Sequence, residues 1–116
     1  MNWLTMSETE ILAIADPIMD NLIQASTDID HGQHIKDFTD KLKSIVTKEN
    51  FESQCKEYQA KLGYLAEREF AAVFRKETDA AVFWKQRYTK STGEFIAFLR
   101  LISDNEKILV QNVSIT

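Results

Sequence analysis

Cysteine, proline and glycine are scarce in this sequence, whose 116 residues include one cysteine, one proline and three glycines. The lone Cys55 excludes an internal disulfide, which is typical of a protein from a reducing compartment. So few glycines and prolines, together with 44% apolar residues, also exclude a long disordered linker. We therefore expect residues 1–116 to form a single folded domain.

Long hydrophobic runs and an excess of basic residues are missing as well. No apolar run approaches the roughly 18 residues of a membrane-spanning helix, and the start, MNWLTMSETE, lacks the basic and apolar regions of a signal peptide. The formal net charge of −4 argues against a general nucleic-acid coat, which needs a basic face. These absences predict a cytoplasmic protein that binds neither a membrane nor a nucleic acid.

The apolar residues before Gly63 recur with helical spacing. Ser7 followed by Glu10 is a capping-box pattern, which predicts the start of a first helix. Pro17 interrupts this helix, so either the helix kinks there or Asp16 caps a second segment. The apolar stripe consists of Ile11, Ile14, Ala15, Ile18, Leu22 and Ala25.

Two more helices are predicted after the segment STDIDHG, in which Gly32 is the stop of the first helix. Thr47 can cap the third helix, and Gly63 stands where helices commonly end. The apolar side of the second helix consists of Ile35, Phe38, Leu42 and Ile45, and that of the third consists of Phe51, Cys55, Tyr58 and Leu62.

The apolar period changes to two after Gly63, which predicts strands. The connectors KETD, STG and DNE are short and polar, so neighbouring strands should pair antiparallel. Helices followed by strands predict an α+β fold, in which three N-terminal helices pack on one face of a four-stranded antiparallel meander sheet. The strands are predicted over residues 65–75, 80–90, 94–103 and 107–115.

The connector lengths predict which residues lie opposite each other in the sheet. A three-residue STG loop places Trp84 opposite Arg100. In the first hairpin, opposite charges and an aromatic pair favour the register that sets Glu69 against Lys85 and Phe70 against Trp84. A slip of one residue would turn every side chain to the other face. The last hairpin can close in two ways.

The face that bears Trp84 is predicted to lie under the helices. Polar groups at core positions are costly unless they are paired or wet, so the polar residues of this face predict a pocket. Arginine suits a carboxylate or phosphate, which predicts a small anionic ligand. The alternative is internal pairing with helix acids such as Asp37, Asp40 or Glu57. The candidate pocket residues are Arg68, Trp84, Gln86, Tyr88, Arg100 and Tyr58.

The reverse face is predicted to present an apolar patch to water. A patch of this kind commonly marks an interface, and it predicts a two-fold homodimer with isologous contacts. The predicted interface residues are Phe83, Phe95, Leu99 and Leu101.

The segment DIDHGQH contains side chains that can bind a divalent metal, but it also overlaps a helix end and a helix start. Asp and His are ordinary residues at helix ends, and we favour that interpretation for Asp28, Asp30, His31 and His34. Cys55 lies on an apolar stripe, which is typical of a buried structural cysteine. The sequence therefore predicts no metal, no cofactor and no catalytic residue.

Two long segments carry a resemblance to a known superfamily. The helical segment HIKDFTDKLKSIVTKENFESQCKEYQAKLGYL leads into the meander AAVFRKETDAAVFWKQRYTKSTGEFIAFLRLISDNEKILVQNVSI. Together they resemble small, uncharacterised members of the cystatin-like, nuclear-transport-factor-two-like superfamily of α+β cones. The resemblance covers nearly the whole chain, and it implies the cone fold and dimerisation through the sheet.

The superfamily includes isomerases, dehydratases, epoxide hydrolases, transport adaptors and assembly domains, so the resemblance does not choose an activity. Its enzymes need an acid or base inside the cone, where this sequence offers arginines and a glutamine. We therefore predict a non-catalytic ligand-binding or protein-interaction domain. The alternatives are an isomerase, dehydratase or hydrolase that uses the cone pocket, and a structural dimerisation unit. A deep cavity containing an Asp, Glu or His with a shifted pKa would favour an enzyme.

Overall fold

The computed structural model describes residues 1–116, in which a short 3₁₀ turn and four helices precede four strands. No helix combines the length and the apolar character needed to cross a membrane. The helices are α1 (Glu8–Asp28), α2 (His31–His34), α3 (Asp40–Ile45) and α4 (Lys48–Leu62), and the strands are β1 (Leu65–Arg75), β2 (Asp79–Tyr88), β3 (Phe95–Asp104) and β4 (Lys107–Ile115).

Helix α1 begins with the predicted capping box. The backbone N–H of Glu10 donates to Ser7 Oγ at 3.1 Å, and the backbone N–H of Ser7 donates to Glu10 Oε1 at 2.9 Å. The helix continues through Pro17 as one element, so the alternative of two separately capped segments is wrong. It ends at Ile29, whose φ of 54° is left-handed, rather than at Gly32 as predicted.

The prediction of one long second helix is wrong, because the chain forms two shorter helices there. The side chain of Asp30 accepts the backbone N–H of Gln33 and starts α2. The backbone at Phe38 then pairs with Val110 of β4, next to a hydrogen bond of 3.0 Å from Thr39 N–H to Val110 O. A strand partner therefore replaces the helix that the local apolar spacing predicted.

Helix α4 forms as predicted. The backbone N–H of Asn50 donates to the capping Thr47 Oγ1 at 3.2 Å, and the helix ends at Gly63. Gly63 has a φ of 80°, and a Cβ there would lie 2.2 Å from Thr89 Oγ1. Only glycine therefore lets the chain turn this close to the residues that follow β2.

The sheet is an antiparallel meander in the order β1-β2-β3-β4, and the predicted α+β fold class is confirmed. The predicted register of the first hairpin is confirmed near its middle, where Glu69 lies opposite Lys85 and Phe70 opposite Trp84. A bulge follows Phe70 and shifts the rest of this pairing. The last hairpin closes through a two-residue turn whose central residues both have positive φ.

The predicted register between β2 and β3 is wrong by three residues. Trp84 lies opposite Ala97 instead of Arg100. Because the side-chain period of a strand is two, an odd shift turns every side chain of β3 to the opposite face. The residues of β3 that were expected beneath the helices therefore point away from them. The residues of β3 that were expected on the uncovered face lie beneath the helices.

The shift arises because β2 ends at Tyr88, two residues earlier than predicted. The connection between α4 and β1 takes up the next two residues. The backbone N–H of Thr89 donates to Tyr64 O at 2.8 Å, and that of Lys90 donates to Leu62 O at 2.9 Å. These bonds lengthen the connection to β3 beyond a three-residue loop.

The helices cover the face of the sheet that carries Trp84, as predicted, and Trp84 is 3% exposed. Apolar residues of α1 meet those of β2, β3 and β4 in one continuous core. Its fully enclosed large side chains are Trp3, Ile11, Met19, Val82, Leu99, Leu101 and Val110.

Three of the four predicted interface residues lie on this covered face, which is a correction to the sequence analysis. Leu99 and Leu101 are both 0% exposed, and Phe95 lies opposite the buried Gln86. Phe83 alone of the four lies on the uncovered face. The odd register shift of β3 is the physical reason for the other three.

Candidate functional site

Arg68, the first candidate pocket residue, is held by α1. Its Nη1 lies 2.7 Å from Asp20 Oδ1, and its Nη2 lies 3.2 Å from Asp16 Oδ1. The guanidinium carbon lies 5.3 Å from the centre of the Trp84 ring. Arg68 is thus paired within the protein, with Asp16 and Asp20 of the first helix instead of the acids Asp37, Asp40 or Glu57.

Gln86 repairs an irregularity in the sheet. Pairing between β1 and β2 breaks between Leu65 and Arg68, and the fully buried amide of Gln86 lies beside this break. Its Nε2 donates to Ala66 O at 3.0 Å and to Arg87 O at 2.9 Å. The donor group of Gln86 is therefore used by the backbone.

Arg100 lies on the uncovered face, because of the register of β3. It forms an ion pair with Asp79, and its guanidinium carbon lies 5.5 Å from the centre of the Phe98 ring. Burial acts to raise the pKa of Asp79, but the hydrogen bonds from Thr78 and Arg100, together with the charges of Lys76 and Arg100, lower it. Arg68 and Arg100 are thus on opposite faces and cannot hold one anion together.

A cavity of about 290 Å³ lies between the helices and one end of the sheet, and we name it the helix–sheet cavity. Tyr58 and Tyr88 line it, whereas the other four candidate pocket residues do not. None of its 20 lining residues is Asp, Glu, Lys or Arg. Apolar lining residues include Met19, Leu22, Phe51, Leu65, Val113 and Ile115.

Helix α4 supplies one wall of the cavity through its predicted apolar stripe. Phe51, Cys55 and Tyr58 lie at positions i, i+4 and i+7, which share one side of a helix. The opposite wall comes from the second half of α1, and the floor comes from the ends of β1, β2 and β4. The ends of separate elements therefore create the space.

His34 lines the cavity as well, although it was not among the candidate pocket residues. Its ring stacks against Phe51 with a centroid distance of 4.4 Å and meets Phe38 edge-on at 5.2 Å. Burial lowers the pKa of His34 to about 4, and the neighbouring His31 adds to the effect. His34 and Phe38 are four residues apart in the sequence, but the chain between them is a turn and not a helix.

Two further titratable groups of the cavity are shifted towards their uncharged forms. Burial raises the pKa of the Cys55 thiol. Burial also raises the pKa of Tyr88, and Tyr58 and Cys55 add to this shift. At neutral pH the cavity therefore presents the Cys55 thiol, the Tyr88 phenol and the neutral imidazole of His34.

The histidine-containing segment before α3 acts as a structural joint. Asp30 caps α2, as the capping interpretation predicted. His31 Nε2 lies 2.8 Å from Val46 O, which ties the start of α2 to the end of α3. No group of three or more His, Cys, Asp or Glu side chains is arranged to hold a metal ion.

The polar groups of the helix–sheet cavity are better suited to binding an uncharged molecule than to proton transfer or to binding an anion. A catalytic base works best when its pKa lies near the operating pH, and His34 lies well below neutrality. A nucleophilic cysteine needs a lowered pKa, and that of Cys55 is raised. Uncharged hydrogen-bonding groups on mostly apolar walls remain as the chemistry that the cavity offers.

Comparison with known proteins places the fold and leaves the activity open. No protein-family model and no curated protein sequence matches this chain. Bdellovibrio bacteriovorus Bd1075 is similar over 96% of this chain, with a TM-score of 0.55 and 10% identity, and the match spans 43% of that protein. A protein of unknown function with a cystatin-like fold from Methylobium petroleophilum PM1 is similar over 90% of this chain and 75% of its own, with a TM-score of 0.52 and 12% identity. Likeness at such low identity concerns the fold alone, and the chain therefore has a cystatin-like α+β fold, as the sequence resemblance implied.

Proposed function

We propose that this chain is a non-catalytic binding domain that holds a small, uncharged and mostly apolar molecule in the helix–sheet cavity. The observation that carries the proposal is the complete lack of Asp, Glu, Lys and Arg among the 20 lining residues. Small-molecule sites are typically apolar clefts with a few polar groups, and about 290 Å³ suits a small guest. We further assign the domain to the nuclear-transport-factor-two-like type, in the cytoplasm, where a free thiol such as Cys55 stays reduced.

An uncharged guest takes the place of the anionic ligand that the sequence suggested. That ligand depended on Arg68 and Arg100, and both arginines are already paired with carboxylates outside the cavity. An anion in the cavity would lose its water without gaining a cation, which is costly. An isomerase or hydrolase is the weaker alternative, because His34 is a poor base at neutral pH.

Filling the cavity tests the proposal. Cys55→Phe adds a ring to the cavity wall, and Ser53→Phe adds the same ring at an exposed position of the same helix. Fluorescence titration with the neutral apolar dye Nile red should show saturable binding to the wild type and to Ser53→Phe. Binding to Cys55→Phe should be at least about tenfold weaker, because its ring occupies the dye's space. Equal binding by a folded Cys55→Phe, with circular dichroism as the control, would contradict the proposal.

We also propose that two copies of the chain join through the outer sheet face, which we define by Phe74, Phe83, Ile96 and Phe98. Phe74 is 64% exposed and Ile96 is 56% exposed. The ring of Phe83 lies 5.7 Å from that of Phe74 and 5.0 Å from that of Phe98, so the aromatics form one row. Exposed apolar patches of this kind commonly mark interfaces.

The charges of the outer sheet face support a second copy as its partner. Glu94 pairs with Lys85 at 3.0 Å and with Arg87 at 3.1 Å, and Arg100 pairs with Asp79. Lys85, Arg87 and Arg100 would thus bring no unpaired positive charge to the junction of two identical faces. Four neighbouring strands of about ten residues each form a sheet face of about 600 Å². This area is comparable with the roughly 800 Å² that each partner buries in a standard interface.

An aspartate on the outer sheet face tests the dimer. Ile96→Asp introduces two like charges into the proposed interface, and sedimentation should show a monomer. Ile45→Asp is the matched control, because Ile45 is 59% exposed and lies on α3, on the helical side of the sheet. It should sediment as the wild type does. A monomeric wild type, or an unchanged dimer in Ile96→Asp, would remove the proposal.

A further inference from the structure

The two ring nitrogens of His34 have different surroundings. Nδ1 is enclosed by the protein and has no hydrogen-bond partner. Nε2 is not enclosed in this way and makes no hydrogen bond to the protein, and His34 lines the helix–sheet cavity. Nε2 is therefore the nitrogen that a molecule in the cavity can reach.

The enclosed Nδ1 decides which nitrogen carries the proton of the neutral ring. A buried N–H without a partner is rarer than a buried acceptor without one, because the lone donor loses its only hydrogen bond. We therefore assign the proton to Nε2 and leave Nδ1 as a bare acceptor. In this tautomer, His34 presents an N–H donor to the cavity.

The groups around His34 keep its ring neutral. Phe51 of α4 and Phe38 of the segment before α3 pack against it. His31 is the one titratable group whose charge affects its pKa, and it is held on Val46 O. No carboxylate faces the ring to favour its protonation, so the ring stays a neutral donor at physiological pH.

Tyr88 provides a second neutral donor. Tyr88 is 8% exposed and lines the same cavity. Its ring meets that of Phe95 edge-on, with a centroid distance of 4.9 Å. Its hydroxyl is bonded to no protein group and is not enclosed. Because burial raises the pKa of Tyr88, the hydroxyl keeps its proton at neutral pH.

We infer that the molecule held in the helix–sheet cavity is an uncharged, mostly apolar compound with a carbonyl or similar acceptor oxygen, which accepts a hydrogen bond from His34 Nε2–H, with Tyr88 O–H as a second donor. This inference rests on the proposed binding function and names the ligand class. Neutral donors on walls without charged side chains favour a neutral acceptor over a carboxylate. A carboxylate would lose its hydration in the cavity, and no cation there would compensate for that loss.

Competition with Nile red at pH 8 tests the ligand class with three probes of equal chain length. These are 2-octanone, octane and octanoate, which carry a neutral acceptor, no polar group and a full negative charge. One neutral hydrogen bond should make 2-octanone displace the dye at an about fivefold lower concentration than octane. Octanoate should be about tenfold weaker than 2-octanone, because the cavity offers it no cation.

Two conservative variants assign the donors. His34→Phe and Tyr88→Phe keep an aromatic ring and remove the hydrogen-bond donor. His34→Phe should reduce the preference for 2-octanone over octane to less than about twofold, while octane binding stays within about twofold of the wild type. Tyr88→Phe should reduce the same preference by a smaller factor.

The outcomes separate this inference from the proposed function. If Nile red binds and 2-octanone gains nothing over octane, or if His34→Phe leaves the preference unchanged, the inference is overturned and the binding cavity stands. If octanoate binds more tightly than 2-octanone, the inference is overturned as well. If neither the dye nor any probe binds the folded wild type, both the binding function and the ligand class are overturned.

Discussion

Two adjoining regions of the layer between helices and sheet are built in opposite ways, and we call them the filled end and the open end. At one end, Arg68 lies over Trp84 and pairs with two acids of α1, and the buried amide of Gln86 closes a break in the sheet. At the other end, His34 and Tyr88 face a space of about 290 Å³ that contains no charged side chain. One end is charged and filled, and the other is neutral and open.

This contrast shows that the most polar residues of an inner face need not form a binding site. A buried charge is costly unless it is paired, so the arginine of the filled end is already bound to its own protein. The groups left free to meet a guest are neutral polar groups on aromatic rings, whose burial without a partner costs less than that of a charge. Each of the predictions below changes one end and leaves the other unaltered.

Gln86→Leu should have the largest effect, and it should be confined to the filled end. It removes the donor that serves the carbonyls of Ala66 and Arg87, which lowers the free energy of unfolding by about 3 kcal/mol. Gln111→Leu, at an exposed position of β4, should change it by less than about 0.5 kcal/mol. Urea unfolding measures both, and Nile red affinity should stay unchanged. Equal stabilities of the two variants would show that the Gln86 amide does not hold the sheet together.

The pH dependence of the free energy of unfolding should report the titration of His34 at the open end. The pKa of His34 in the folded chain is about 4, below the ordinary 6.5, so between these values the unfolded state binds more protons. The free energy of unfolding therefore falls as the pH is lowered through this range, by about 1–2 kcal/mol between pH 7 and pH 5 after allowance for partial exposure. Denaturant unfolding at both pH values measures it.

His34→Phe is the control for this pH effect, because it removes the titrating ring. Its stability should be nearly level between pH 7 and pH 5. The carboxylates with lowered pKa, such as Asp79 and Glu94, lose their contributions only below this window. If the free energy of unfolding of His34→Phe fell as steeply as that of the wild type, a group other than His34 would cause the pH effect.

Arg68→Met should have the smallest effect of the three. The side chains of Asp16 and Asp20 are 48% and 67% exposed, so water screens the pairs and their loss costs about 1 kcal/mol. Arg87→Met, which removes an arginine that is itself 41% exposed on the outer sheet face, should cost less than about 0.5 kcal/mol. Thermal unfolding compares the two. If Arg68→Met also weakened Nile red binding by tenfold, the two ends would not be independent.

Much of the fold could be predicted because its signals are local. The capping box at Ser7, the cap at Thr47 and the glycine stop at Gly63 are short patterns whose hydrogen bonds lie within a few residues. The strand limits were close for the same reason, since polar connectors interrupt apolar runs. The second helix failed because Phe38 pairs with Val110, which lies far away in the sequence.

The candidate site was harder to predict because it depends on one connection. Thr89 and Lys90 look like the continuation of a strand, but they hydrogen-bond to the turn around Gly63. The resulting odd shift moved Arg100 out of the predicted pocket and buried Leu99. Nothing in the STG loop itself signals that change.

The sequence by itself determined the class of elements, their order, most of their ends and the register of the first hairpin, because spacing, capping and neighbouring charges act over short distances. Only the tertiary structure decided which face of β3 meets the helices, which partners Arg68 takes, and where a space remains next to His34. Those outcomes depend on backbone hydrogen bonds and packing between segments far apart in the chain, and local propensities do not encode them.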